Sequence, residues 1–264
     1  MLTGGETGAT EIRSASGVRR VLKWDADPDN VEGRRRGARM AQRLHDAGWP
    51  VPAQDVRRDG PWLFVAQELM PGHDVRRVDT ALVHNVLDLH PKRLGLGDPA
   101  DAARWGTRTI QLLVSGGNGY CLHEPLRTYD HRTRRLLDRI RRIGVGVRAA
   151  QLSGNDIVHA DLHPGNLLQS GGRLSAVIDV DYATSGDAAF DLTFFAITSL
   201  QYDPDEATRR LLREVGLGPL DAARRQTYVA ATLLQLLDWA IRKRRTDEIE
   251  LWLSHSGWLF GDDR

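Results

Sequence analysis

The stretch from Ile157 to Asp181 constrains this chain more than any other. A short apolar run, Ile157-Val158, delivers His159 and Asp161 into a loop that holds Pro164 and Gly165. Asn166 then opens a second short strand, Leu167-Leu168. Ser170-Gly171-Gly172-Arg173 reads as a hairpin turn, and the return strand, Leu174 to Ile178, ends at Asp179-Val180-Asp181. Folded this way, carboxylates and a carboxamide converge at one end of a hairpin.

The surroundings divide in character. The first 70 residues read as strands with one helix. Residues 10–15 and 18–24 flank Ser14 to Gly17 as a hairpin. Asp27-Pro28 starts a helix with proline at its first position, and Gly48, Pro50 and Pro52 stop it. Trp62 to Ala66 is a strand running toward Pro71-Gly72. Beyond Gly72, helical periodicity covers 79–90, 100–114, 130–152, 187–200, 204–215, 221–243 and 246–256, broken by the strands of 156–182. There is no internal repeat and no flexible linker. The expectation is an α+β chain: a small β-rich N-terminal lobe, 1–70, and a larger, mainly helical C-terminal lobe, 71–264.

Composition excludes several function classes. With 36 Lys+Arg against 35 Asp+Glu, the 264-residue chain is neither a nucleic-acid coat nor a polybasic membrane binder. The single cysteine, Cys121, rules out an internal disulfide and a Cys-pair zinc site, and suits a reducing compartment. Met1 to Gly5 carries no signal-peptide pattern. The most apolar window, Val229 to Ile241, is interrupted by Gln235 and Asp238 and is too short to span a bilayer. The expected location is the cytoplasm. Three cationic residues are lysine, Lys23, Lys92 and Lys243; all the others are arginine. A lone lysine among arginines can hold its place for a chemical reason, although a biased genome explains any one of them as well.

Phosphoryl transfer needs the set of groups gathered at the hairpin. One carboxylate orients the attacking hydroxyl and accepts its proton, while a second carboxylate and an amide oxygen hold magnesium across nucleotide phosphates. Magnesium prefers hard oxygen ligands and keeps several waters, so one Asp and one Asn suffice. The spacing of His159, Asp161, Leu162 and Asn166 follows the kinase catalytic-loop pattern His-x-Asp-Leu-x-x-x-Asn, and Asp179 stands where a kinase places its metal-binding aspartate.

His159-Ala-Asp-Leu-His-Pro-Gly-Asn-Leu-Leu168, with Val177-Ile-Asp-Val-Asp181 and Gly186-Asp-Ala-Ala-Phe-Asp-Leu192, resembles the aminoglycoside phosphotransferase family. The resemblance is specific over 157–192 and holds in outline elsewhere. It implies a bilobal, protein-kinase-like fold and phosphorylation of small-molecule hydroxyls, often of antibiotics. It makes Asp161 the catalytic base, Asn166 and Asp179 the magnesium ligands, and Lys23 the lysine that reaches the phosphates of ATP or GTP. It places Gly5, Thr7 and Gly8 in a turn over those phosphates, and the Glu68 carbonyl and Met70 amide at the edge of the base. Asp191 would buttress the catalytic loop. The family's small-lobe helix supplies a glutamate to pair with the lysine. Here Glu32 is the only glutamate in 28–47, and it falls opposite the apolar face of its helix. Either the helix is turned unusually, or the pair is absent or supplied by another group.

Structural readings stand beside these. His159 reads as a loop lock rather than a catalyst, and Asp187 as a helix N-cap. His163 either contacts the transferred phosphoryl group or packs. Asp181 either supports the site or faces a substrate amine. A His159-x-Asp161-x-His163 metal site leaves Asn166 and Asp179 unexplained. The substrate implied is a cationic antibiotic, an aminoglycoside or a viomycin- or capreomycin-type peptide. It would be held by acids drawn from Asp203, Asp205, Glu206, Asp238, Asp247, Glu248, Glu250, Asp262 and Asp263. The alternatives are a metabolic kinase for an amino alcohol or sugar, and a nucleotide-binding pseudokinase.

Overall fold

The structure is a computed structural model that describes residues 9–13, 17–25 and 31–262. β1 (Ala9–Arg13) and β2 (Arg19–Asp25) form an antiparallel hairpin with Ala9 opposite Lys23. Next comes α1 (Val31–Asp46), whose inward face carries Arg34, Gly37, Met40, Ala41 and Leu44. Gly48, at φ +82°, ends it: its N–H donates to the His45 carbonyl and that of Trp49 to the Leu44 carbonyl, both at 2.9 Å. This paired closure needs a left-handed residue, which glycine adopts without strain.

β3 (Gln54–Asp59) and β4 (Trp62–Glu68) complete a sheet of order β1-β2-β4-β3. Strand β3 has no signature in the sequence. Gln-Asp-Val-Arg-Arg-Asp lacks alternation and becomes a strand only by pairing with β4 at the sheet edge, Val56 opposite Val65. β5 (His73–Asp74) precedes α2 (Thr80–Leu89), which Asp79 caps by accepting the Leu82 N–H at 2.9 Å. The helix expected over 100–114 is two, α3 (Pro99–Ala102) and α4 (Trp105–Ser115). α5 (His123–Tyr129) is a further helix, too short to show apolar periodicity in the sequence. α6 (His131–Gly146) starts on an Asp130–Thr133 capping box and stops short of 152, where residues 149–152 form a separate 3-10 turn.

The short strands follow: β6 (Asp156–Val158), β7 (Leu167–Ser170), β8 (Arg173–Val177) and β9 (Thr184–Gly186). β5, β7 and β8 make one small sheet, and β6 pairs with β9. The chain closes with α7 (Ala189–Thr198), α8 (Glu206–Gly216), α9 (Ala222–Arg242) and α10 (Thr246–Phe260). Among the described residues no helix is long and apolar enough to cross a membrane.

Two hydrophobic cores result. One lies among α4, α6, α7, α9 and α10, where Leu113, Ile140, Phe194, Leu233, Leu237 and Trp252 are buried. The other runs across residue 72: Met40, Ala41, Leu44 and Val51 pack with Val78, Leu82, Leu162, Leu167, Val177 and Phe195. Helix α1 is therefore fixed against the β7–β8 hairpin by shared apolar burial.

Candidate functional site

The loop after β6 is held from below. Asp191, fully buried at the start of α7, accepts the backbone N–H of His159 at 2.7 Å and of Ala160 at 2.9 Å. Arg93, 1% exposed, donates to the same carboxylate and to the Ala188 carbonyl at 3.1 Å. His90 accepts from that guanidinium at 3.1 Å, and burial together with the Arg93 charge lowers its pKa to about 4. His159 accepts the Asp161 N–H at Nδ1, 3.3 Å, and so donates from Nε2 to the Ile178 carbonyl at 3.0 Å. Both its ring nitrogens serve the loop, and no His-x-Asp-x-His ligand triad forms. Ala160 sits at φ +69°, a strained value for a non-glycine residue that these bonds enforce.

Above this base the polar groups meet. Asp161 is 42% exposed at its side chain and takes the Asn166 Nδ2 on its carbonyl at 2.9 Å and on Oδ2 at 3.3 Å. His163 Nε2 stands 3.6 Å from Asp161 Oδ2, while its Nδ1 accepts the Gly165 N–H at 3.0 Å. Asp179 follows β8 in a left-handed conformation, φ +61°, with its side chain 44% exposed. With Asn166 directing its Nδ2 at Asp161, its Oδ1 and the Asp179 carboxylate remain as hard oxygen donors, which fits magnesium. Among the described residues no cluster of three or more His, Cys, Asp and Glu forms a metal cage.

Lys23 reaches this group from β2. Its Nζ donates to Asp179 at 3.0 Å and to Asp181 at 2.9 Å. Burial works against its charge, but the two carboxylates more than offset this and raise its pKa above that of an ordinary lysine. Burial likewise pushes Asp179 upward, and Lys23 outweighs it, so the carboxyl lies below its usual range. Glu32, the expected partner of Lys23, points outward. It is 74% exposed and neighbours Arg35 and Arg39 at 3.9 and 3.6 Å. Helix α1 presents Arg34 to the site instead, because 34, 37, 41 and 44 share one face. Asp181 is 2% exposed, its carboxylate enclosed by neighbouring side chains. It accepts Lys23 and Arg34 on Oδ2, both at 2.9 Å, and Gln67 and Gln54 on Oδ1 at 2.6 and 3.2 Å. Arg34 left a sequence signal, a cation at apolar-face spacing. Gln54, Gln67 and Arg93 left none.

Glu68 ends β4 with its N–H on the Ala53 carbonyl at 3.0 Å, and Met70 lies partly buried in the segment leading to β5. Gly5, Thr7, Gly8 and Asp263 lie outside the described residues. Of the acidic candidates, Asp203, Asp205 and Glu206 line one surface groove with Arg76, Arg77 and Arg209. Tyr202, on its wall, brings Oη within 3.8 Å of where a Cβ on Gly165 would stand, so the groove adjoins the loop that carries Asp161. Asp238 lies elsewhere, 1% exposed and paired with Arg242 at 2.8 Å. Asp262 is paired with Arg139, and Glu250 with Arg132. Asp187 does accept the Ala189 N–H at 3.1 Å as a cap would, and it also takes Arg224 and, at 2.6 Å, the Tyr228 hydroxyl.

Comparison with known proteins follows the same lines. The profile described as the phosphotransferase enzyme family matches residues 8–227. A search of curated proteins gives no match. Among solved structures, a thermostable mutant of aminoglycoside phosphotransferase APH(4)-Ia, in ternary complex with ADP and hygromycin B, is 16% identical with a TM-score of 0.66, covering 100% of this chain and 94% of its own. Aminoglycoside phosphotransferase APH(3'')-Id from Streptomyces rimosus, in complex with ADP and streptomycin, is 18% identical with a TM-score of 0.58, covering 88% and 94%. Macrolide 2'-phosphotransferase MphH from Brachybacterium faecium is 18% identical with a TM-score of 0.56, covering 99% and 90%. The α+β, kinase-like architecture is common to all of them.

Proposed function

Because this chain belongs to the phosphotransferase enzyme family, we propose that it transfers the γ-phosphoryl group of ATP to a hydroxyl of a cationic antibiotic, an aminoglycoside or a viomycin-type peptide. The observation that carries this reading is the continuous link from Lys23 through Asp179 to the end of the hairpin that also holds Asn166 and Asp161. In this reading Asp161 orients the acceptor hydroxyl and takes its proton. Asn166 and Asp179 hold magnesium, which when bound neutralises charge across the phosphates. Lys23 meets the phosphates, and the Glu68 carbonyl and Met70 N–H take the base, a main-chain contact that ATP and GTP can both use. The relatives solved with ADP and an aminoglycoside support nucleotide and antibiotic as the two substrates. The added phosphate would bring a charge of about −1.5 to −2, enough to repel the drug from an RNA target.

One observation favours a second reading. The groove beside the catalytic loop sets Arg76, Arg77 and Arg209 among its three acids, with Asp203 bonded to Arg209 and Asp205 3.6 Å from Arg77. Such balanced charge suits an amino alcohol, a sugar or an antibiotic of low charge better than a polycation. Incubating the protein with Mg-ATP and a panel of aminoglycosides, viomycin-type peptides, macrolides and amino alcohols separates these by the mass gain of one phosphate. A shift on an antibiotic class supports the first reading and one confined to an amino alcohol or sugar the second. No shift with ATP still bound points to a nucleotide-binding scaffold.

A further inference from the structure

We propose that Asp181 is the positioning residue for Lys23, replacing the helix glutamate, and that α1 acts on Lys23 through Arg34 and Asp181. The inference rests on the reading of Lys23 as the nucleotide lysine. Lys23 bonds two carboxylates, and exposure separates them. Asp179 is open at 44%, free to turn to a ligand. Asp181, at 2%, is closed, so what it does for a bound nucleotide passes through the groups it touches. Its acceptor sites are occupied by Lys23, Arg34, Gln54 and Gln67, drawn from β2, α1, β3 and β4. A carboxylate fixed from four elements cannot follow a ligand, and so it fixes the lysine.

The polarity of helix α1 is consistent with this. A lysine held from the helix needs an acid there, whereas a lysine held from the hairpin needs the helix to supply a cation for the shared carboxylate. Helix α1 carries arginine on its inner face and turns its glutamate to solvent. Gly37 lets the helix come close enough, since a Cβ there would meet the backbone carbonyl of Asp181. Arg34 also stacks on Tyr182, its guanidinium carbon 4.5 Å from the ring centroid, which keeps it over the same segment.

The test compares Asp181→Asn with the transferred pair Asp181→Asn/Arg34→Glu, which moves the carboxylate to the helix. ATP binding is measured by titration in EDTA as well as through steady-state kinetics, so the answer does not depend on identifying the acceptor. Expected for Asp181→Asn are a rise of about tenfold or more in ATP Kd and KM, the size of a lost charge-assisted hydrogen bond, and an acceptor KM within about twofold. The transferred pair is expected to recover at least part of the ATP affinity, which a structural role alone does not predict. Wild-type ATP affinity retained by a folded Asp181→Asn overturns the proposal, as does an equal loss in Glu32→Gln. If Asp181→Asn does not fold, Gln54→Ala removes one partner of the same carboxylate and is expected to raise ATP Kd about twofold to fivefold; no rise overturns the proposal. If the wild-type protein binds no ATP, the functional reading itself fails first.

Discussion

At the scale of single residues the site separates into groups that are open and groups that are closed. Asp161 and Asp179 are exposed enough to touch a ligand, while Asp191 and His159 are sealed beneath them. Asp161→Asn keeps the shape and removes the carboxylate proposed as the base. We expect kcat to fall about 10²- to 10⁴-fold with ATP affinity within about threefold, measured by turnover and nucleotide titration. A folded variant that keeps turning over removes Asp161 from the chemistry. The support beneath has its own pH dependence. The folded-state pKa of His90 is lowered from 6.5 to about 4, so its contribution is full above pH 6.5 and is lost as pH falls toward 4. His90→Gln, which can still accept from Arg93 but does not titrate, should flatten the fall in stability across that window by about 2–3 kcal/mol in denaturant titrations. Equal slopes would show that the imidazole exchanges freely with solvent. The pairing of Asp161 with Asn166 was legible because it is local, the two lying five positions apart. Arg93 was not, because its carboxylate lies 98 positions away and His-Pro-Lys-Arg reads as a surface turn.

At the scale of elements, the long periodic helices and the strands β6, β7 and β8 were legible, while α5, β3, β5 and β9 were not. α2, α8, α9 and α10 carry long apolar periodicity, so sequence alone sets their place to within a few residues. β5 and β9 are two and three residues long and exist through the partners they pair with. Helix α1 shows how tertiary contact overrides propensity. Gly37→Ala should favour an isolated helix, yet its new methyl would meet the Asp181 carbonyl, and backbone cannot yield as a side chain can. We expect a net loss of about 1–3 kcal/mol by denaturant titration, with weaker ATP binding. Gly146→Ala, ending α6 with nothing within 4 Å, should instead gain about 0.4–1 kcal/mol. A stabilised Gly37→Ala would mean that α1 rides further from the hairpin.

At the scale of the whole molecule, the switch to helical periodicity and the Pro71-Gly72 turn mark a change in character at residue 72, and neither reports which apolar faces share a core. Met40, Ala41 and Leu44 of α1 bury themselves among Leu82, Leu162, Val177 and Phe195, and Arg34 and Lys23 bond to Asp181 through that same contact. Among the described residues before 72, the hydrophobic side chains buried outside that shared core are Leu63 and Val65 of β4, a small apolar face beside the one α1 would lose if the helical part melted. The sheet there has two outer strands, β1 and β3, in which no residue is buried, and a helix cut from its partner loses the burial that most stabilises it. One cooperative transition follows, with calorimetric and van't Hoff enthalpies agreeing and tryptophan fluorescence and far-UV circular dichroism coinciding. ATP at about 100 times its Kd should raise stability by about 2.7 kcal/mol without splitting the transition. Asp181→Asn should lower the temperature of that single transition and shrink the ATP shift. An early phase in which β1–β4 is lost while α9 and α10 persist would instead make the first 70 residues a separately folding unit, and would leave the shared core too weak to couple nucleotide to the helical part.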